Sequence, residues 1–295
     1  MAFPDEHPFA QLRRRAERSV DDLRRRYGNG SDPHADLRAT LGAQVPYLAG
    51  VWGPPVRRGA AVPEVLRVAT YNVHRWAGVR GGNAFVPARA ARVLERLDAD
   101  VIALQEVLRP FDTPDLLADL ADRLGRTLAF ATTRIHRNGE LGNAILTRLP
   151  LSDAFTLDLT TGRLEQRSAL AVTLGKAPGR TVSIVATHLS LVDRTRKLQV
   201  QRLLSEPRLG GNIVLMGDMN AWRKCPAVRD LEDAFVDARH HNDAWPASYP
   251  AMAPVLALDR IYARGADVTA LATLDDPDAR QASDHLPVCA EVRLG

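Results

Sequence analysis

Short apolar runs and polar breaks alternate along the chain from about residue 65 onward. Leu66–Asn72 (LRVATYN), Val101–Leu104, Asn143–Thr147, Ser168–Leu174, Val182–Thr187, Ile213–Met216, Leu258–Tyr262 and Val288–Val292 have the length and apolar density of strands. Apolar residues three and four apart predict helices between them. One spans Pro87–Leu97, with Pro87 in its first turn and Ala90, Val93, Leu94 and Leu97 on one face. Another begins at Pro114, capped by Thr113, carries Leu116, Leu117, Leu120 and Leu124, and stops at Gly125. Further helices are expected around Thr195–Leu204 and from Pro226. Strands and helices alternate early and strands outnumber helices, which fits layered sheets with helices outside them.

The front of the chain reads differently. Residues 9–27 form a charged helical pattern, with Phe9, Leu12, Ala16, Val20, Leu23 and Tyr27 on a narrow stripe and an Arg-rich opposite face. Gly28–Pro33 reads as a loop, and the Pro/Gly-rich residues 46–63 as a linker. The expected division is therefore 1–64, an Arg-rich helix and linker, and 65–295, the main domain. The helix would lie on the domain surface or make peripheral contact with an anionic membrane or a partner. Nothing in the sequence demands an obligate protein partner.

Charge sharpens this division. Residues 1–60 hold ten Lys+Arg and seven Asp+Glu, whereas residues 61–295 hold twenty-nine and twenty-eight. The excess of cations thus sits at the front, and the main region lacks the broad basic field with which a protein grips long nucleic acid. Cys225 and Cys289 have no metal-ligand spacing and call for no oxidising compartment. No run reaches the ~18 apolar residues of a membrane span, and the N-terminus has no apolar signal core. A cytoplasmic protein is expected, and its many Arg and three Lys fit GC-rich bacterial coding.

Reactive residues gather at the ends of the apolar runs. Asn72 ends LRVATYN, Glu106 ends VIALQE, and His188 ends VSIVATH. Asp218 and Asn220 end NIVLMGDMN, Asp259 lies in LDRIY, and Asp284 and His285 precede the final strand. Singly, a Glu after a strand is usually a solvated loop residue and a lone His a satisfied structural one. Together, strand ends can converge at the rim of a sheet. His74 and His136 stay ambiguous, and His7, His34, His240 and His241 lie in polar stretches. Hard oxygen donors such as Glu106 and Asp284 suit Mg²⁺ or Mn²⁺. With imidazoles and amides beside them they suit phosphoester hydrolysis, which needs a cation, a base for water and donors for growing negative charge. HExxH, GxSxG and Walker patterns are absent, so zincin, serine hydrolase and P-loop chemistries have no support.

At ATYNVH, DVIALQEV, GNAILTRLPL, QRSALAV, VATHLSL, VLMGDMNAW, LDRIYARG and ASDHLPV, the chain resembles the endonuclease/exonuclease/phosphatase superfamily, from about Leu66 to Arg293. The resemblance implies a deoxyribonuclease-I-like α/β fold, a four-layered sandwich of two packed sheets flanked by helices. It implies Glu106 as principal metal ligand with Asn72 and Asp284 completing the shell. It also implies Asp218 as the base for water, Asn220 holding that water or the phosphate, His285 on the phosphate, Asp259 orienting His285, and His188 donating to a phosphate oxygen. Arg167 either faces the phosphate or pairs with Glu165. Asn143 is either a substrate contact or a structural turn. Met219 stands where the family's GDFN carries an aromatic, a packing change behind the site. The segment ASYPAMAPVLALDRI is similar to small bacterial members. The expected activity is hydrolysis of a small or lipid-linked phosphodiester or phosphomonoester. A DNA or RNA nuclease and an inactive binding protein are the alternatives. Trp76, Trp222, Trp245 and Tyr249 could line a pocket or stack on bases.

Overall fold

The computed structural model describes residues 34–54, 61–162, 165–176, 180–237 and 244–295. The helix read over residues 9–27, the loop after it, and His7, His240 and His241 lie outside the described residues.

Two sheets form the centre. The first is ordered β1(Tyr47–Trp52), β4(Thr127–His136), β5(Gly139–Thr147), β3(Val101–Pro110), β2(Val65–Asn72), β13(Val288–Leu294), β12(Ala266–Thr273). The second is ordered β10(Val236–Asp237), β11(Asp259–Arg264), β9(Ile213–Asp218), β8(Val182–His188), β7(Ser168–Leu174), β6(Leu151–Asp158). Period-two alternation explains the stacking. Val101 and Ala103 of β3 and Val214 and Met216 of β9 point into one shared core between the sheets. Their neighbours Ile102 and Leu104 face helices on one outside, and Ile213 and Leu215 face helices on the other. Strands buried on both faces read as continuous apolar runs, which is why they were visible in the sequence.

The outer layers are helical. α1(Ala35–Gly42), α2(Pro87–Arg96), α3(Leu116–Leu124) and α6(Pro277–Ala282) cover the first sheet through Leu37, Val93, Leu94, Leu117 and Ala279. α4(Asp193–Leu204) and α5(Pro226–Ala234) cover the second through Val200, Leu203, Val228 and Leu231. Each sheet contains one parallel pair, β2–β3 and β8–β9, joined by crossovers that run through α2 and α4. A parallel pair brings two C-terminal strand ends to the same rim, and this happens once in each sheet. Among the described residues no helix is long and apolar enough to cross a membrane.

Three expectations need correction. Residues 46–63 were read as a linker, but Tyr47–Trp52 is the edge strand, paired antiparallel with β4. Its Gly and flanking Pro masked a YLAGVW run whose Tyr47, Leu48 and Ala49 are buried. The boundary at Val65 therefore cuts through the domain, since α1 also packs on it through Leu37 and Leu41. Thr113 does not cap α3; the helix starts at Leu116 after Asp115, and no side chain bonds its N-cap. The apolar pattern does not reveal β4, β6, β10, β12, α1 or α6. β12 and β6 carry polar residues on an open face, and α6 is a short helix capped by Asp276, whose carboxylate accepts from the Ala279 amide at 2.9 Å.

A chain begun at Val65 would uncover the edge of β4 and lose the burial of Leu37, Leu41 and Tyr47. At ~1.5–3 kcal/mol per large buried side chain and ~2–4 °C per kcal/mol, Tm is expected to fall by at least ~10 °C. Differential scanning calorimetry of the two chains reads this directly, and an unchanged Tm would refute it.

Candidate active site

The rim of the second sheet supplies one half of the site. In register, His188 of β8 lies beside Asp218 of β9, and Asp218 lies beside Asp259 of β11. Three adjacent strand ends thus present an imidazole and two carboxylates in one row. Gly217 sits at φ +152°, where a side chain would collide with the Thr187 carbonyl, so the tight approach of β8 and β9 requires glycine. Asn220 follows with φ +49°. Its loop is clamped from behind by two buried guanidiniums. Arg196 donates to the Asn220 carbonyl at 2.6 Å, and Arg260 to the Ala221 carbonyl at 2.5 Å. Met219 is fully buried in the outer core beneath them.

The rim of the first sheet supplies the other half. Asn72 ends β2 beside Gln105, and Glu106 lies in a bulge where β3 shifts register between Leu104 and Val107. A bulge re-aims a side chain out of strict alternation, and Glu106 adopts φ +52° there. The turn His74–Trp76 runs through φ values of 45°, 57° and 63°. It is anchored by the buried Trp76, whose Nε1 donates to the Leu108 carbonyl at 2.7 Å. That anchoring sends Arg75 to Glu106, at 3.0 Å, and His74 to Asp284, at 3.2 Å. Left-handed backbone at non-glycine residues is costly and concentrates at functional sites. Of six such residues among those described, four lie on this rim and a fifth, Asn220, lies on the rim of the second sheet.

The halves are joined by hydrogen bonds. Asn72 Nδ2 donates to Asp218 Oδ2 at 3.2 Å, and the Asn220 amide donates to Asp218 Oδ1 at 2.9 Å. His285 Nδ1 bonds Asp259 Oδ2 at 2.7 Å, and Ser248 Oγ donates to the same oxygen at 2.6 Å. Ser283 Oγ donates to the Asn72 carbonyl at 2.6 Å, tying the turn before β13 to the end of β2. The Tyr249 ring flanks His285 at 4.9 Å between centroids.

The two histidines have opposite characters. Burial disfavours charge on both. For His285 the carboxylates of Asp259, Asp218 and Asp284 outweigh burial and push its pKa up to about 10, so the ring is an imidazolium at neutral pH. For His188 burial dominates, the Arg167 guanidinium adds to it, and the pKa is pushed down to about 3. The neutral ring accepts at Nε2 from Asn220 Nδ2, at 3.0 Å. Asn220 Nδ2 also donates to the Leu189 carbonyl at 2.9 Å, which fixes which end of the amide is nitrogen. The resemblance makes His188 a donor to phosphate. Here its Nε2 lies 3.0 Å from Asn220 Nδ2 and 3.4 Å from Asp218 Oδ2, which ties the ring to both.

Glu106, Asn143, Arg167, His188, Asp218, Asn220, Asp284 and His285 all line one open cleft of ≈ 380 Å³. Asn72 and Asp259 stand behind it, each bonded to a lining residue. Asn143 sits mid-strand in β5, not in a turn, and its Nδ2 donates to the Ser168 carbonyl at 3.0 Å. Arg167 pairs with Glu165 at 2.5 Å and lines the cleft. Trp76 is buried packing, and Trp245 packs against Tyr262 with the rings tilted and their centroids 5.3 Å apart. Trp222 and Tyr249 reach the cleft.

Two groups could hold a metal. Asp218, Asp259 and His285 offer ligand atoms within 4.8 Å of one another. In that group His285 Nδ1 and Ser248 Oγ both bond Asp259 Oδ2, while the buried Asp259 Oδ1 has no hydrogen-bond partner among the described residues. Glu106 and Asp284 both line the cleft with oxygen donors, the chemistry that suits Mg²⁺ or Mn²⁺, and the Asn72 amide oxygen behind them accepts from the His74 amide at 3.0 Å. Sequence reasoning missed Arg75, Arg134, Ser248 and Ser283. The serines sit inside quoted motifs (ASYP and SDH), but a serine that only orients a carboxylate or a carbonyl has no sequence signature.

A sequence profile described as the Endonuclease/Exonuclease/phosphatase family matches residues 69–285. The uncharacterized protein YbhP of Escherichia coli strain K12 is 27% identical over 249 residues, covering 78% of this chain and 96% of that protein. A crystal structure of an endonuclease/exonuclease/phosphatase from Beutenbergia cavernae superposes with TM-score 0.62 at 25% identity, covering 79% of this chain and 72% of the other. One from Bacteroides vulgatus superposes with TM-score 0.65 at 19% identity, covering 79% and 100%.

Proposed function

Since the chain belongs to the endonuclease/exonuclease/phosphatase family, whose members hydrolyse phosphoesters, we propose that it is a divalent-metal-dependent hydrolase of a small or lipid-linked phosphodiester or phosphomonoester. The observation that carries the reading is one cleft in which oxygen donors face a buried carboxylate and a histidinium. Its modest volume and the near-balanced charge of residues 61–295 favour a small substrate over long nucleic acid. Leu191 and Trp222, both exposed at the rim, offer an apolar surface to a leaving group.

Glu106, Asp284 and Asn72 would hold Mg²⁺ or Mn²⁺, which when bound supplies Lewis-acid polarisation of a phosphoryl oxygen. Asp218 accepts the proton of the attacking water, its carboxylate oriented by Asn72 and the Asn220 amide. Asn220, held by His188 and by Arg196 behind it, positions that water or a phosphate oxygen. His285 brings positive charge and an Nε2 donor to the phosphate as negative charge grows. Asp259 and Ser248 fix its ring from behind.

Removing divalent ions with a chelator is expected to lower hydrolysis of bis-p-nitrophenyl phosphate by more than about two orders of magnitude, and Mg²⁺ or Mn²⁺ to restore it. Full activity in chelator would overturn the metal assignment. Efficient, salt-sensitive cleavage of plasmid DNA in the same buffer would replace the small-substrate reading with a nuclease.

A further inference from the structure

Three arginines line the cleft, and two of them share one anion. Arg134 extends from β4 of the first sheet, and Arg167 immediately precedes β7 of the second. Glu165 bridges them across the seam, with Oε1 at 2.6 Å from Arg134 and Oε2 at 2.5 Å from Arg167. All three border the catalytic cleft.

The partners are unequally held. Arg134 is part of a strand. Arg167 is anchored through its backbone, its amide to Thr160 Oγ1 at 3.3 Å and its carbonyl to the Leu159 amide at 2.9 Å. Its side chain is only 11% exposed, and its buried Nε has no hydrogen-bond partner among the described residues. Glu165 lies outside any strand, with its side chain 40% exposed. The cations are therefore framework and the anion is the movable piece. A desolvated guanidinium beside a second cation needs a counter-anion. Two guanidiniums spanned by the two oxygens of a carboxylate are equally matched to two oxygens of a phosphate.

The pair lines the same cleft as Asp218, Asn220 and His285. Both arginines help keep His188 neutral, and Arg167 in turn feels the carboxylates of Asp218 and Glu106. A group bound between Arg134 and Arg167 would belong to the same molecule as the phosphate facing Asp218.

Resting on the phosphoester-hydrolase reading, we propose that Arg134 and Arg167 form a second anion subsite, filled by Glu165 when no substrate is bound. The subsite selects phosphoesters that carry an additional phosphomonoester. Substrate entry exchanges the Glu165 carboxylate for that dianionic phosphate, and Glu165 swings to solvent. Singly charged diesters leave the bridge in place and gain nothing from it.

A matched pair of chromogenic probes tests this: thymidine 5′-(p-nitrophenyl phosphate) and the same molecule with a 3′-phosphate. With Mg²⁺ or Mn²⁺, the 3′-phosphorylated probe is expected to have at least about tenfold higher kcat/KM, mostly through KM. Arg134→Gln should shrink that preference to about threefold or less, and Glu165→Gln, which removes the competing anion, should enlarge it. Equal use of both probes by the parent enzyme overturns the inference and leaves the hydrolase reading intact. A preference that survives Arg134→Gln, or that falls in Glu165→Gln, also overturns it; the latter would make Glu165 a mere brace. Hydrolysis of neither probe nor of bis-p-nitrophenyl phosphate overturns the underlying reading too. If the 3′-phosphate as its methyl ester serves equally well, the second group is a strand diester and the phosphomonoester assignment falls.

Discussion

Asp218→Asn is expected to lower kcat/KM by about 10³-fold, near the middle of the range for losing a general base. Asp218 is almost fully buried, yet its two oxygens are set by donors from both halves of the site, Asn72 Nδ2 and the Asn220 amide. An asparagine of the same shape keeps the packing but cannot take a proton from water. The loss should fall on kcat, because the carboxylate acts on water during the chemical step. Stability should fall by about 1–3 kcal/mol, since the new amide nitrogen faces one of those two donors and the attraction to the His285 imidazolium is lost. Steady-state kinetics beside urea denaturation separates the two effects. A variant retaining a tenth of parental kcat would remove Asp218 from the base role.

Asp259→Asn carries the second large effect, about 10²–10⁴-fold in kcat by analogy with other carboxylate–imidazole pairs. Asp259 is completely buried and touches the reaction only through His285, which makes it a positioning residue. Its carboxylate does two things: it fixes the ring through Nδ1, and its charge is the leading attraction that lifts the His285 pKa. The pH dependence follows from the sign of that shift. A histidine raised from 6.5 to about 10 adds stability that is complete below pH 6.5 and is lost as pH climbs through about 10. Activity that needs the imidazolium should decline over the same alkaline window. In Asp259→Asn both alkaline limbs should move toward acid pH, while kcat falls at every pH. A purely structural role for Asp259 would lower stability without moving the limb. A pH–kcat profile from pH 6 to 11 distinguishes them.

The candidate site was legible in the sequence because most of its members flank the ends of strands that are apolar on both faces, Glu106 alone lying at a bulge inside β3. Such strands stand out as short dense runs, and the next polar residue is forced to the rim. That logic found Asn72, Glu106, His188, Asp218, Asp259 and His285, and the structure brings them to one cleft or directly behind it. It failed where a strand has one open face or lies among Pro and Gly, as in β12 and β1, because polar alternation and turn residues dilute the run. It also failed for the supporting residues. Arg196 and Arg260 are buried cations satisfied by backbone carbonyls, and a carbonyl acceptor leaves no trace in residue identity.

What residue order alone determined, then, was eight of the described strands, the layering they require, and which reactive groups stand at or near the ends of the apolar runs. Those properties depend on local periodicity, which a linear chain displays openly. Only tertiary structure decided the protonation of the two histidines, the bulge that turns Glu106 outward, and the pairing of Arg134 and Arg167 through Glu165. Each of these depends on burial and on charges brought together from distant segments, and electrostatic energies are set by distance and solvent exclusion in space rather than by neighbours along the chain.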